Sequence, residues 1–233
     1  MYLRYNYTNM GLRGPKPKGK VKMEWSSDFA YAIGLIASDG NLSPDGRHIL
    51  FVSKDEELVH LFIEALKVDA NIGKRSGNDK KEKKYHVVQI GDVLFYKFLL
   101  SIGLMPNKSK IIGKLAIPTD YFFDFLRGSF DGDGCTYSYW DSRWRSSFMF
   151  YTVFVSASKA HVLWIQKNVK HHLGITGQIT GRGQKGTVYQ LKYGKADSLQ
   201  LLHRLFPNRG TQSLTRKRLK INEMLRIINA RQV

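Results

Sequence analysis

The sequence has one cysteine, Cys135, so an internal disulfide is excluded and no covalent staple can hold the fold together. It has no apolar run near the ~20 residues that a spanning helix needs, and no basic amphipathic helix long enough to lie in a bilayer surface. No membrane partner is expected. The N-terminus carries no apolar signal core, which together with the lone cysteine points to an intracellular, reducing compartment, cytoplasm or organelle matrix. No His-Cys or His-Asp cluster has the spacing of a zinc site or a nucleophilic triad. Acidic residues are few beside basic ones: 19 Asp and Glu stand against 37 Lys and Arg, a formal net charge of +18. Such a surplus repels itself in a compact monomer unless an anionic partner absorbs it, and nucleic acid is the leading partner. With 42% hydrophobic and 12% aromatic residues the chain can still fill a packed core.

What the sequence does have is one pattern written twice. Ala32-Ile33-Gly34-Leu35-Ile36-Ala37-Ser38-Asp39-Gly40 and Phe125-Leu126-Arg127-Gly128-Ser129-Phe130-Asp131-Gly132-Asp133-Gly134 each read as an apolar helix that ends in an acid and then a glycine. In each, two small residues lie four apart, Gly34 with Ser38 and Gly128 with Gly132, and so share one helix face. Faces this small allow an axial approach closer than the usual ~8–10 Å. The natural partner of each helix is the other copy. Packed side by side, they bring Asp39 and Asp133 together at helix ends that already carry partial negative charge, an arrangement that asks for a divalent cation.

The two segments resemble the paired motifs of LAGLIDADG homing endonucleases, with Gly34, Asp39 and Gly40, then Gly128, Asp133 and Gly134, at the motif's glycine, acid and closing glycine. The second copy is the fuller match. The first departs at Ala37, where the motif has an acid, and at Ser38, where it has alanine. The resemblance implies a single-chain, two-repeat α+β fold: two pseudo-symmetric αββαββα repeats packed through these helices, with antiparallel sheets forming a DNA-binding saddle. It implies Asp39 and Asp133 as catalytic acids and metal ligands, with Gly40 and Gly134 beside them at the metal. It also implies that Lys108 and Lys217, each at a short echo after its half, stand by the scissile phosphates.

The order of elements supports the repeat. In the first half, Ser26 or Ser27 caps the first helix, a turn at Pro44-Asp45-Gly46 leads to a strand from His48 to Ser53, and apolar spacing predicts a helix over Asp55–Lys67. A strand over Tyr85–Ile90 and a helix over Asp92–Ile102 complete αββαββα. The second half runs through strands Thr136–Tyr139 and Phe148–Ser156, a helix from Ser158 to His172, strands Gln178–Thr180 and Val188–Tyr193, and a helix from Ala196 to Phe206. Ser53 to Gly91 and Ser156 to Gly194 both span 38 positions, so the halves hold register independently of the motifs. The expected boundaries are a basic arm over 1–22, repeats over 23–115 and 116–212, and a basic tail over 213–233 that packs as a helix from Lys220 to Ala230. Cys135 is expected as a small buried side chain.

Strands alternate faces, so one face of each sheet can pack on helices while the other follows the major groove of duplex DNA. The outward candidates are Asn41, Ser43, Arg47, Lys74, Arg75, Lys84, His86 and Gln89 in the first half. In the second they are Tyr137, Tyr139, Arg143, Arg145, Gln178, Thr180, Arg182, Gln184, Lys185, Tyr189, Gln190 and Lys192. A one-residue error in register would exchange the faces. The reading is phosphodiester hydrolysis by a monomer on double-stranded DNA, with Mg²⁺ shared by Asp39 and Asp133 and Ca²⁺ able to support binding without cleavage. The resemblance implies a staggered double-strand break with 3′ overhangs in a long target, and the unequal hairpins make that target asymmetric. Relatives of this family also serve as RNA-binding intron maturases, and the same fold could be a non-catalytic DNA-binding regulator; the retained Asp39 and Asp133 favour cleavage. No flanking splicing-domain sequence marks the chain as part of an intein.

Overall fold

The computed structural model describes residues 19–76, 84–144, 146–182, 188–208 and 210–230. Of the outward candidates, Arg145, Gln184 and Lys185 lie outside the described residues, as does most of the basic arm. The first half contains α1 (Ser27–Ser38), β1 (Gly40–Leu42), β2 (His48–Ser53), α2 (Glu56–Leu66), β3 (Gly73–Arg75), β4 (Tyr85–Gly91) and α3 (Val93–Ser101). The second contains α4 (Phe122–Asp133), β5 (Cys135–Trp140), β6 (Phe148–Ser156), α5 (Lys159–Leu173), β7 (Gln178–Arg182), β8 (Val188–Tyr193) and α6 (Lys195–Leu205). A last helix, α7 (Thr215–Asn229), follows. The two sheets have the same antiparallel order, β1-β2-β4-β3 and β5-β6-β8-β7. The α+β architecture with two αββαββα repeats is therefore as the sequence implies.

Helix α1 begins where Ser26 Oγ accepts from Phe29 N at 3.1 Å, a side-chain N-cap. From Phe29 to Ile36 every residue is buried, because the helix is enclosed by α4, α2 and its own sheet. The most extensive contact between any two elements is α1 with α4. Its geometry rests on two glycines. A Cβ added at Gly34 would collide with the Phe125 carbonyl oxygen and come 3.0 Å from Gly128 Cα; one added at Gly128 would collide with the Tyr31 carbonyl oxygen. Backbone thus meets backbone at the centre of the molecule. Ser38 and Gly132 extend the seam, since a Cβ at Gly132 would meet the Ser38 hydroxyl.

Each sheet lays its inner face on helices. Phe51 of β2 stacks on Phe62 of α2 with ring centroids 4.5 Å apart, and Phe130 of α4 meets Phe154 of β6 edge-on at 5.9 Å. The segment that joins the halves buries Leu104, Ile112 and Leu115 and is tied to α5: Ser158 Oγ donates to the Ile112 carbonyl and His161 Nδ1–H donates to the Gly113 carbonyl at 2.9 Å. Arg127, 2% exposed, is held from several sides. Its guanidinium pairs with Asp124 at 2.8 Å and donates to the carbonyls of Gln212 at 3.0 Å and Leu205 at 3.2 Å.

Two expectations need correction. The tail helix starts at Thr215, not Lys220, because its first turn is buried by Leu214 and Lys217 and anchored to α4. Cys135 is exposed, because Thr136 takes the buried position of β5 and strand alternation turns the thiol outward.

The glycine seam yields a stability prediction. Gly128→Ala should lower the unfolding free energy by about 2–3 kcal/mol in urea titration, as overpacking against backbone that cannot yield. Gly113→Ala, where a Cβ meets nothing within 4 Å, should change it by less than about 0.5 kcal/mol.

Candidate nuclease site

The two helices that meet at Gly34 and Gly128 end side by side. Asp39 is the C-cap of α1 and Asp133 is the last residue of α4. The glycines that follow are required by proximity, not by a left-handed backbone. Gly134 has φ −76°, and a Cβ there would come 2.5 Å from the Phe130 ring; at Gly40 it would come 2.7 Å from Ile36 Cα. Gly40 and Leu42 point into the core, so alternation sends Asp39 and Asn41 to the opposite, outer face. Asp133 and Cys135 do the same in the second half.

These carboxylates stand in an unfavourable field. Loss of water around Asp39, and then the charge of Asp133, push its carboxyl up to about 6, partly offset by the nearby Lys217 and Lys108. Asp133 is raised too, by lost hydration, and the lysines again oppose the shift, Lys108 first. The largest attraction on each acid thus comes from the lysine of the other half. Helix C-termini add partial negative charge of their own.

Both lysines are buried beneath those helix ends. Lys217, 9% exposed, donates from Nζ to the carbonyls of Phe130 at 2.7 Å, Asp131 at 2.8 Å, Gly132 at 3.0 Å and Gly134 at 2.6 Å. Lys108, 5% exposed, donates to the carbonyls of Gly40 and, at 3.5 Å, Ser38. An ammonium has three protons, so Lys217 shares them among carbonyls of the last turn of α4 and of Gly134, the Phe130 carbonyl also accepting from Gly134 N at 2.9 Å. Burial pulls both lysines down to about 8. The carbonyls of Gly40 and Gly134, expected at a metal, therefore already accept from the lysines.

The donors fit a hard divalent cation. Two crowded carboxylates that repel one another supply oxygen ligands, and a Mg²⁺ that keeps several waters needs no more than one or two of them. Among the described residues no group of three or more His, Cys, Asp or Glu gathers to hold a metal, so Asp39 and Asp133 would hold it with help from DNA phosphates.

Register decides the sheet surfaces. In the first sheet Asn41 pairs with Leu50 and Leu50 with Gln89, placing these three on the outer face, and Arg75 opposite Tyr85 joins them. Ser43 and Arg47 flank the β1–β2 turn, and the exposed Lys84 precedes β4. Lys74 and His86 are on the other face, contrary to expectation. They pair with each other in line with the buried Val88 and Ile90, and His86 Nδ1 is 3.5 Å from Glu56 of α2.

In the second sheet Tyr137, Tyr139, Gln178, Thr180, Gln190 and Lys192 hold outer positions, and Arg182 occupies the outer register position opposite Val188. Arg143 is exposed in the β5–β6 turn and pairs with Asp141. Tyr189 corrects the expectation: it shares a face with buried Leu191 and Tyr193 and packs against the core. Sequence reasoning missed Tyr151, whose ring stacks on Tyr137 at 5.0 Å and carries Lys192 Nζ 4.1 Å from its centroid. Alternation within Phe148–Ser156 was the signal that could have found it.

The sequence matches no protein-family model and no curated protein. Solved structures match over most of the chain. The LAGLIDADG homing endonuclease I-LtrWI bound to target DNA aligns with TM-score 0.58 at 10% identity over 88% of this chain and 91% of that one. I-DmoI in complex with DNA and Mn aligns with TM-score 0.51 at 16% identity over 78% and 98%. The N-terminal LAGLIDADG domain of WhiA aligns with TM-score 0.52 at 16% identity over 86% and 88%. The fold is that of the LAGLIDADG homing endonucleases and of the WhiA LAGLIDADG domain. Among the described residues no helix is long and apolar enough to cross a membrane.

The acid pair makes stability fall as pH rises. Native Asp39 keeps its proton to about pH 6 while an unfolded aspartate loses it near 3.8, so stability is lost between those values and stays lower above them. Asp39→Asn should therefore be more stable than the wild type at pH 8, by up to about 3 kcal/mol, with the gap closing near pH 4 in thermal or urea melts. Millimolar Mg²⁺ should raise the wild-type melting temperature at pH 8 and leave that of Asp39→Asn nearly unchanged.

Proposed function

We propose that this protein is a site-specific DNA endonuclease that makes a metal-dependent, staggered double-strand break with 3′ overhangs in a long asymmetric target. One observation carries the reading: two acids from opposite halves meet at the ends of the central helices, on the outer face of both sheets. Each acid serves mainly one strand. Bound between the carboxylates, divalent cations, Mg²⁺ foremost, would stabilise the charge on the attacking and leaving oxygens. Lys108 and Lys217 neutralise the helix ends and hold positive charge at the acids as the polyanion arrives.

The outer faces supply recognition. Gln89, Arg75 and Asn41 offer donors and acceptors to one half-site, and Lys192, Gln190, Gln178 and the tyrosine cluster offer a different set to the other. With both halves in one chain, a monomer suffices. Support for intron or mobile-element homing is the role that such a long target fits.

Cleavage of a randomised duplex library tests the reading. One long asymmetric sequence should be cut with Mg²⁺, bound but not cut with Ca²⁺, and only nicked by Asp133→Asn, whose second-strand rate should fall roughly 10²–10³-fold. Tight sequence-specific binding without cleavage in any divalent ion would instead mark a DNA-binding regulator, and preference for structured RNA a maturase.

A further inference from the structure

The second half carries an acid that the proposed chemistry does not use. Asp131 is fully buried, two residues before Asp133, and its partner position in the first half is Ala37. Its Oδ2 accepts from two directions: the Tyr31 hydroxyl of α1 at 2.8 Å, and the backbone N–H of Leu214 at 2.8 Å. Leu214 is the N-cap of α7 and is itself fully buried, and Lys217 lies three residues on, in the first turn. One carboxylate oxygen thus ties the start of the helix that carries Lys217 to both central helices, and from the other side α2 and its approach add Glu57, which accepts from Thr215, and Asp55, which pairs with Arg216 at 2.7 Å. Among the described residues the first half has no such tie. Ala37 has no acceptor side chain, and Lys108 lies in a single 3₁₀ turn, Lys108–Lys110, entered from Asn107 at φ 55°. The outcome differs accordingly: Lys217 reaches four carbonyls and Lys108 two.

We propose that Asp131 is a positioning residue that anchors the α7 N-terminus and so holds Lys217 at its catalytic half-site, making cleavage of one strand depend on Asp131 while cleavage of the other does not. The proposal rests on the endonuclease reading. A buried carboxyl oxygen that accepts from a backbone N–H at a helix start is a directional tether, and it is lost whenever either partner is removed. Because the tether belongs to one half only, its removal acts on one strand.

Strand-resolved single-turnover cleavage of the selected target, each strand labelled at its own end, reads this directly. Lys217→Met first identifies the strand that depends on Lys217. Asp131→Ala should slow that same strand at least tenfold relative to the other. Asp131→Asn, which retains an oxygen acceptor, should keep the ratio of the two rates within about threefold of the wild type. Leu214→Pro provides an independent approach should Asp131→Ala fail to fold: Leu214 has φ −65°, the value proline prefers, so the substitution removes the donated N–H while preserving the backbone, and it should slow the same strand. Equal slowing of both strands, or slowing of the other strand, in Asp131→Ala or Leu214→Pro would overturn the proposal, since general destabilisation does not select a strand. A wild-type chain that binds its site and cuts neither strand removes the endonuclease reading, and this role falls with it; a wild type that cuts both strands with an unchanged ratio in the variants removes this role alone.

Discussion

The contact of backbone with backbone at Gly34 and Gly128 is the constraint on which the remaining geometry depends. Each glycine receives a carbonyl of the opposite helix, Phe125 at one and Tyr31 at the other, so no side chain larger than hydrogen fits at either point. That proximity fixes the rotation of α1 against α4 about their shared seam. Once rotation is fixed, the helix ends are fixed, and with them the acids and the strands that leave them. A sheet placed by a helix this rigidly can present a surface in constant relation to the acids.

The same proximity creates an electrostatic problem that the chain solves from outside the motifs. Two helix C-termini and two carboxylates converge where water is partly excluded, and each of these is unfavourable to the others. Buried lysines from later segments supply the compensation, seated on the carbonyls that the helices leave unpaired. The attraction crosses between halves, with Lys217 foremost on Asp39 and Lys108 foremost on Asp133. Residual repulsion leaves a place where added positive charge is favoured.

Much of this was legible in the sequence because it is local or periodic. Small residues four apart, an acid and a glycine after each apolar run, and a 38-position echo between the halves give the helices, their pairing and the order of strands. Sheet faces were less legible. Lys74, His86 and Tyr189 are polar or amphipathic in strands where neighbouring residues alternate weakly, and only the pairing register shows that they lie on the helix side of their sheets, Lys74 still exposed at the edge. Tyr151 was hidden among Phe148, Phe150 and Phe154, which face inward on the same strand. Asp131 reads in sequence as one letter of a motif, and its partners Tyr31 and Leu214 lie 100 and 83 positions away, a separation no local pattern encodes.

The glycine seam carries a further consequence. A surface that packs α1 on α4 through equivalent glycines is nearly self-complementary, the kind that in separate chains gives a two-fold homodimer. Covalent linkage replaces that encounter with an intramolecular one at high effective concentration, so the pairing of the halves no longer depends on protein concentration. Linkage also removes the requirement that every substitution act twice. In a homodimer, alanine at the position of Ala37 would leave both subunits without the acid; here one half carries Ala37 and the other keeps Asp131 in use. The two halves are thereby free to carry different outer surfaces, as Gln89 and Arg75 on one sheet and Lys192 and Tyr151 on the other do, which the two-fold symmetry of a homodimer would forbid.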